Sequence, residues 1–149
     1  MKDNNYSMVE GILYNLPKLR VEIENLKLRI EDVQEIMGIR GTSGNEKAGS
    51  STNAFNSVVE NEVLERERNL ERKINVIKRE LNRKERELKR IENVLNLLSE
   101  REMLIVELRY FKRYSVNRIC ELLDITTPTF NRRRKEIVAG KLMPILIYK

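Results

Sequence analysis

The feature that most constrains the fold is a heptad repeat of apolar residues near the start of the chain. Its members follow alternating steps of three and four residues without a miss: Val9, Ile12, Leu16, Leu19, Ile23, Leu26, Ile30, Val33 and Met37. This spacing puts all of them on one stripe of an α-helix and is typical of a coiled coil. Pro17 lies inside the repeat at an outward position, and proline disrupts a helix interior. We therefore expect a short helix near residues 5–15, a break or kink, and a long helix from Pro17 to Met37.

A second heptad stripe occupies the middle of the chain. Its members are Leu70, Ile74, Ile77, Leu81, Lys84, Leu88, Ile91, Leu95 and Leu98. Lys84 is the only polar member, and we interpret it either as a register specifier or as a side chain that reaches past the rim of the seam. Ser57 with Glu60 fits a capping box, which predicts a helix from about residue 57 to residue 98.

Neither helix can bury its stripe alone, so each needs a partner. Residues 38–57 between them hold four of the six glycines and four serines, which predicts a flexible loop. The two helices are then expected to form a long antiparallel coiled-coil hairpin, with residues 9–37 along residues 60–91. We expect residues 1–98 to mediate self-association, most simply as a homodimer.

The charge of the chain is concentrated at its C-terminal end. The net charge is +6, and residues 99–149 hold eleven basic and six acidic side chains. This asymmetry favours contact with a nucleic acid or a membrane surface. No apolar stretch approaches the ~20 residues that span a bilayer, and the polar start MKDNNYS does not resemble a signal peptide. We expect no membrane partner and a cytoplasmic location.

The composition also argues against catalysis. The chain has no His and a single Cys, Cys120, so the usual proton shuttle and the commonest metal ligand are missing. A thiolate nucleophile without a neighbouring His is improbable. We predict no enzyme activity, no catalytic residue, no cofactor and no metal, and we interpret Cys120 as a small packing residue between two helices.

Three short helices are predicted in the last third of the chain. Ser99 and Glu102 form a capping box for a helix that runs to about Phe111. Its inward face is expected to consist of Leu104, Val106 or Ile105, Leu108 and Phe111. Ser115 can cap a second helix, whose apolar residues are Val116, Ile119, Leu122 and Leu123.

The third of these helices follows a tight turn at residues 123–125. Thr127 is the expected N-cap, with Pro128 at the first helical position, where its missing N–H costs nothing. Phe130 and Ile137 are expected inward, and Gly140 is expected to end the helix. This order of elements predicts an all-α chain in which residues 99–149 form a helix-turn-helix domain.

The third helix is the expected reader of DNA. A recognition helix puts its N-terminal residues against base edges, where Arg can pair with guanine and Asn with adenine. The candidate DNA-binding residues on this helix are Thr127, Thr129, Asn131, Arg132, Arg133, Arg134 and Lys135. Arg118, Lys112 and Arg113 from the preceding elements are expected to contact phosphates.

The C-terminal third resembles region four of the bacterial sigma factors. The matching residues are Leu98 to Glu102, Leu108 to Tyr110, the turn from Leu123 to Thr126, and Phe130 to Lys135. With a charged helical N-terminal part, the whole is similar to phage late-gene transcriptional activators of the RinA and ArpU type. The resemblance implies binding to double-stranded DNA near a phage promoter in a bacterial host, with RNA polymerase as a partner. Such helices usually carry an apolar residue where Arg133 stands, so we expect the stem of Arg133 to cover the core.

Two other functions fit parts of the pattern. One is a DNA-packaging recognition protein of the small-terminase kind, although such proteins generally carry the DNA-binding element N-terminally. The other is a coiled-coil adaptor that does not bind DNA. The apolar tail, residues 142–148, is expected to pack against the helix-turn-helix or a second subunit, with contact to polymerase as the alternative.

Overall fold

The computed structural model describes the backbone of residues 2–42 and 55–148, and the side chains of residues 4–38 and 58–148. Within these residues every regular element is helical. The elements are α1 (Lys2–Thr42), α2 (Phe55–Leu95), α3 (Glu100–Val106), α4 (Val116–Leu123), α5 (Thr127–Lys135) and α6 (Met143–Leu146). Two π-helical segments, Glu107–Phe111 and Glu136–Leu142, continue α3 and α5. The predicted all-α fold is confirmed.

The two long helices pack against each other as the predicted antiparallel hairpin. Within residues 22–85, which form one compact unit, the core consists of heptad residues from both helices. Leu26 and Ile30 of α1 are buried with Ile74 and Ile77 of α2, and Val33, Met37 and Leu81 pack partly buried against them. The apolar stripes therefore satisfy each other inside one chain.

Lys84, the polar member of the second stripe, is tied into the hairpin by an ion pair. Its Nζ donates to Oε2 of Glu22 at 2.7 Å, and only 18% of the Lys84 side chain is exposed. A half-buried charge without its partner would be costly. The pair therefore favours one register of α1 along α2, as the register-specifier interpretation requires.

The register itself differs from the predicted one. Placing residues 9–37 antiparallel along residues 60–91 puts Lys27 opposite about residue 71, whereas Nζ of Lys27 lies 3.6 Å from Oε1 of Glu85. The predicted alignment is wrong because Glu60 and Glu67 occupy seam positions in the first turns of α2, and burying a carboxylate there is unfavourable. Four apolar residues of this segment consequently stay exposed: Val58, Val59, Val63 and Leu64.

The extent of α1 also differs from the prediction. α1 is continuous through Pro17, so of the predicted break or kink the break is wrong, and residues 5–15 are not a separate helix. The buried residues Leu13, Leu16 and Leu19 flank the proline, and their packing offsets the one hydrogen bond that it removes.

The segment between the two long helices is shorter than the predicted loop, residues 38–57, because α1 runs to Thr42 and α2 begins at Phe55. Ser57 is therefore not an N-cap, and α2 ends at Leu95 rather than near residue 98. The remainder of the predicted flexible loop, residues 43–54, lies outside the described residues.

The second compact unit combines residues 1–21 with residues 86–149. The start of α1 thus belongs to the same body as the C-terminal helices, whereas the predicted domain boundary lies at residue 98. Its fully buried side chains come from α1 and from the C-terminal helices: Val9, Leu13, Leu16, Val106, Tyr110, Ile119, Phe130, Ile137, Val138 and Leu142. The tail packs within this unit, as predicted, since Leu142 is buried and Nδ2 of Asn5 donates to the hydroxyl of Tyr148 at 2.7 Å.

The capping box of α3 is confirmed and makes stability depend on pH. Ser99 Oγ accepts from the N–H of Glu102, and Glu102 Oε2 accepts from the N–H of Ser99 at 2.9 Å. The ammonium of Lys141, 2.7 Å from Glu102 Oε1, and the Ser99 N–H hold the pKa of Glu102 below its usual value of 4.5. Because the folded pKa is depressed, this stabilisation is present above pH 4.5 and is lost as the pH falls through the folded pKa.

Glutamine can keep the capping box but loses the ion pair with Lys141. We therefore expect Glu102→Gln to lower the free energy of unfolding at pH 7 by about 0.2–1 kcal/mol and to weaken the acid dependence below pH 4.5. Urea unfolding across this pH range measures both effects. Glu100→Gln is the matched control, because Glu100 is an exposed acidic residue in the same first turn. Equal losses in the two variants would contradict the prediction.

Candidate nucleic-acid interface

α4 and α5 form the predicted helix-turn-helix. Ser115 caps α4 through its Oγ, which accepts from the N–H of Arg118 at 3.3 Å. Asp124 then adopts a left-handed conformation with φ of 49°, and the N–H of Ile125 returns to the carbonyl of Cys120 at 3.1 Å. This closure ends α4, and α5 begins after only three intervening residues. Asp is one of the few non-glycine residues that tolerate this conformation.

The N-cap of α5 is one residue earlier than predicted. Oγ1 of Thr126 accepts from the N–H of Thr129, so Thr127 is the first helical residue and Pro128 the second. A proline fits either the first or the second helical position, because the N–H groups at both have no acceptor within the helix. The sequence alone therefore could not decide which of the two adjacent threonines is the N-cap. Gly140 is not a C-cap, since it lies inside the π-helical segment that leads into α6.

The inner face of α3 also differs from the predicted one. Leu104 is 40% exposed, whereas Tyr110 is fully buried. The π-helical segment explains the burial of Tyr110, because the N–H of Lys112 bonds to the carbonyl of Glu107 five residues earlier and the wider turn rotates the residues after Val106. Ile105, Val106 and Leu108 are buried, as predicted.

One side of α5 faces the core of its unit. Phe130 and Ile137 are buried there, as predicted. Arg134 lies on the same side, with Cζ 5.9 Å from the Phe130 ring centroid and Nη1 4.0 Å from Oε1 of Glu10. Arg134 also hydrogen-bonds to Tyr6. Arg134 is therefore engaged with α1, as is the candidate Arg113, whose Nη2 donates to the carbonyl of Tyr14 at 3.4 Å.

The opposite side of α5 is open to solvent. Its exposed residues are Thr127, Pro128, Asn131, Arg132 and Lys135, and their spacing puts Asn131, Arg132 and Lys135 on one helical face. These three residues carry two cations, one amide and no acidic group. We call these three residues the α5 face.

Two candidates lie at the edge of this face. Thr129 is half-buried, with its Oγ1 2.9 Å from Oγ1 of Thr126, so it takes part in capping. Arg133 is half-buried, consistent with a stem that covers the core. Oγ1 of Thr127 lies 4.0 Å from Sγ of Cys120, and Cys120 is partly buried at the approach of α4 to α5.

The three candidate DNA-binding residues that precede α5 are exposed, and each contacts another side chain. Arg118 stacks over the ring of Tyr114 at 4.2 Å, an arrangement that leaves the edge of a guanidinium able to donate. Arg113 has a φ of 56° and lies 5.7 Å from the Tyr14 ring centroid. Lys112 Nζ is 3.3 Å from Oε1 of Glu107.

A polar cluster that the sequence reading missed fixes α1 to these helices. The buried Tyr110 donates its hydroxyl hydrogen bond to Oε1 of Glu10 at 2.7 Å, and the Tyr14 ring meets the Tyr110 ring edge-on at 4.8 Å. Burial, with a smaller contribution from Glu10, raises the pKa of Tyr110, and burial also raises the pKa of Tyr6. The steps of four from Tyr6 to Glu10 to Tyr14 are the sequence signal, since they place three polar residues beside the first heptad stripe.

The part of the chain that the structure describes contains no candidate metal site and no candidate membrane-spanning helix. No group of three or more His, Cys, Asp or Glu side chains is arranged to hold a metal ion in those residues. Among the described helices, none is long and apolar enough to cross a membrane.

Comparison with known protein families places this chain in a family whose function is not assigned. A family model described as "Protein of unknown function (DUF722)" matches residues 14–140. No curated protein and no solved structure matches the chain.

Proposed function

We propose that this chain, which belongs to the DUF722 family of unknown function, is a sequence-specific DNA-binding transcription regulator. The observation that carries the proposal is the α5 face: Asn131, Arg132 and Lys135 are exposed together on the second helix of a helix-turn-helix. The opposite side of α5 is held against the core by Phe130 and Arg134. A helix anchored on one side and exposed on the other fits the major groove, which is wide enough to admit an α-helix.

The chemistry of the α5 face suits both kinds of DNA contact. An Asn side chain pairs with adenine through two hydrogen bonds, and an Arg side chain pairs with guanine in the same bidentate manner. Lys135 is the last residue of α5, three positions beyond Arg132 and farther from the N-terminal end of the helix, where base edges are reached. It is therefore assigned to a phosphate, together with Arg118 of α4. Arg134 is assigned a positioning role, because it is turned toward Glu10 and Tyr6.

The more specific parts of the proposal rest on the resemblance to phage late-gene activators. We propose that the protein acts as a homo-oligomer in the cytoplasm of a bacterial host, activates late genes from a phage promoter and recruits RNA polymerase. Static light scattering separates this proposal from the small-terminase alternative, because a large ring favours the latter. Binding to duplex DNA separates it from an adaptor that does not bind DNA.

The proposal is tested by the affinity of the full chain for duplex DNA as a function of salt. Protein cations that replace condensed counterions make the logarithm of the affinity fall linearly with the logarithm of the salt concentration, by about 0.9 for each phosphate contacted. We expect this behaviour in fluorescence anisotropy titrations with duplexes taken from the DNA around the gene. Absence of binding, or an affinity independent of salt, would overturn the proposal.

The variant Lys135→Ala tests the division of labour on the α5 face. Loss of one phosphate contact is expected to weaken binding about equally for all sequences and to lower the salt slope by about 1. Lys89→Ala is the matched control, since Lys89 is an exposed lysine of α2. The assignment is wrong if Lys135→Ala changes the preferred sequence, or if the control lowers the slope equally.

A further inference from the structure

The outer face of α2 carries a row of arginines. Arg68, Arg72, Arg79 and Arg83, with Asn75 between them, follow steps of four, three, four and four residues. This spacing keeps all five on one side of a helix. It is the side opposite Ile74 and Ile77, which are buried against α1. We call the four arginines the arginine stripe.

The guanidinium groups of the arginine stripe are exposed and have no ionic partner in the part of the chain that the structure describes. All four residues are exposed, and among the described residues none of them forms an ion pair. Within the described ranges, the stripe makes one side-chain hydrogen bond, from Nη1 of Arg72 to Oδ1 of Asn69 at 3.4 Å. By contrast, Lys27 and Lys84 of the same unit do form ion pairs, with Glu85 and Glu22.

An exposed helix face whose only role is solubility does not require four arginines aligned along it. Like charges four residues apart destabilise a helix, whereas acidic residues at alternate positions would stabilise it. Arg72 and Arg79, in the middle of the stripe, have no acidic residue three or four positions away. Arg68 and Arg83, at its ends, do have acidic residues at that spacing: Glu65, Glu71, Glu80 and Glu87. The middle of the stripe therefore keeps a positive field that no acidic neighbour on its own helix offsets.

The chemistry of the stripe selects phosphate as its ligand. All four cations are arginine, whose planar guanidinium donates two parallel hydrogen bonds to a phosphate. From Arg68 to Arg83 the stripe extends about 22 Å at 1.5 Å per residue, so it presents a regular series of donors rather than a pocket for one small anion. The sequence of α2 repeats the spacing at Arg86 and Arg90.

We propose that the arginine stripe of α2 is a second DNA-binding surface, which contacts the phosphate backbone of duplex DNA without reading its sequence. The choice of DNA rather than another polyanion rests on the proposed function of the α5 face. Backbone contacts of this kind supply affinity and hold a protein on the duplex, while base contacts supply the sequence preference.

The test replaces all four arginines by glutamine in the full chain: R68Q/R72Q/R79Q/R83Q. The matched control, R66Q/K73Q/K78Q/K89Q, removes the same charge from exposed positions on other sides of α2. Both proteins are titrated by anisotropy against a duplex of unrelated sequence about three helical turns long, over a range of salt concentrations. Circular dichroism establishes that both variants keep the helicity of the wild type.

We expect the stripe variant to lower the salt slope by about 3–4, as four lost phosphate contacts require, while the control changes it by less than 1. Equal slopes in the two variants would mean that only net charge matters, and would overturn the inference. A wild-type slope in the stripe variant would overturn it as well. Preferential loss of single-stranded RNA binding rather than duplex binding would reject DNA as the ligand.

The α5 face provides the comparison that separates this inference from the proposed function. If N131A/R132A loses sequence preference while the stripe variant binds like the wild type, the inference fails and the proposed function stands. If the stripe variant loses affinity while N131A/R132A binds every duplex like the wild type, the proposed role of α5 fails and the stripe stands.

Discussion

Replacing Phe130 with alanine is expected to lower the free energy of unfolding by about 3–5 kcal/mol. The Phe130 ring is completely buried on the inner side of α5, and the guanidinium of Arg134 lies over it. Truncation removes the apolar contacts of the ring and leaves a cavity under the helix that carries the α5 face. Chemical denaturation followed by circular dichroism measures the loss, and DNA affinity is expected to fall in parallel.

Two further variants make the Phe130 prediction specific. Leu122→Ala removes an apolar side chain that is 57% exposed on α4, and it should cost less than about 1 kcal/mol. Phe130→Leu preserves much of the volume and should recover most of the stability. Should Phe130→Ala be no less stable than Leu122→Ala, the inner side of α5 is wrongly assigned.

The second large effect is expected from the base-reading residues of α5. Asn131→Ala and Arg132→Ala should each cost about 1–3 kcal/mol on the preferred DNA sequence, since each removes a bidentate contact to a base. Affinity for unrelated sequences should fall much less, because phosphate contacts supply it. Competition titrations with preferred and unrelated duplexes measure the two affinities in one experiment.

Arg101→Ala is the control for the Arg132 variant, since Arg101 is an exposed arginine on α3. It should leave the sequence preference unchanged. Uniform weakening on every duplex by Asn131→Ala and Arg132→Ala, with Lys135→Ala alone altering the preference, would mean that α5 is rotated relative to the groove from the orientation proposed here.

The local features of this fold were predictable because each depends on residues close together in the chain. Alternating apolar steps identified both stripes of the hairpin, and the capping residues Ser99 and Ser115 identified the starts of α3 and α4. The buried positions of Phe130 and Ile137 followed from the same periodicity. Such signals need no knowledge of the partner element.

The predictions that were wrong concern features that depend on contacts between residues far apart in the sequence. The register of α1 along α2 is marked by Lys84 with Glu22, residues whose pairing no local pattern specifies. The continuity of α1 through Pro17 depends on packing on both sides of the proline. The rotation of α3 depends on a π-helical turn that periodicity does not reveal.

The candidate site was predictable in composition but not in orientation. A basic third helix could be read from the sequence, yet which of its arginines is available depends on the rotation of α5. Arg134 is turned inward by Glu10 and Tyr6, which lie more than a hundred residues earlier. Arg132 remains exposed, and this contrast could be seen only in the folded chain.

The central claim, that the α5 face reads a DNA sequence, is tested most directly by nuclease footprinting on the DNA that flanks the gene. We predict a discrete protected segment with the wild-type chain. N131A/R132A should fail to protect this segment at the same concentration, even though it still retards unrelated duplexes. A wild-type chain that binds this DNA without protecting any discrete segment, or a double variant with an unchanged footprint, would contradict the claim.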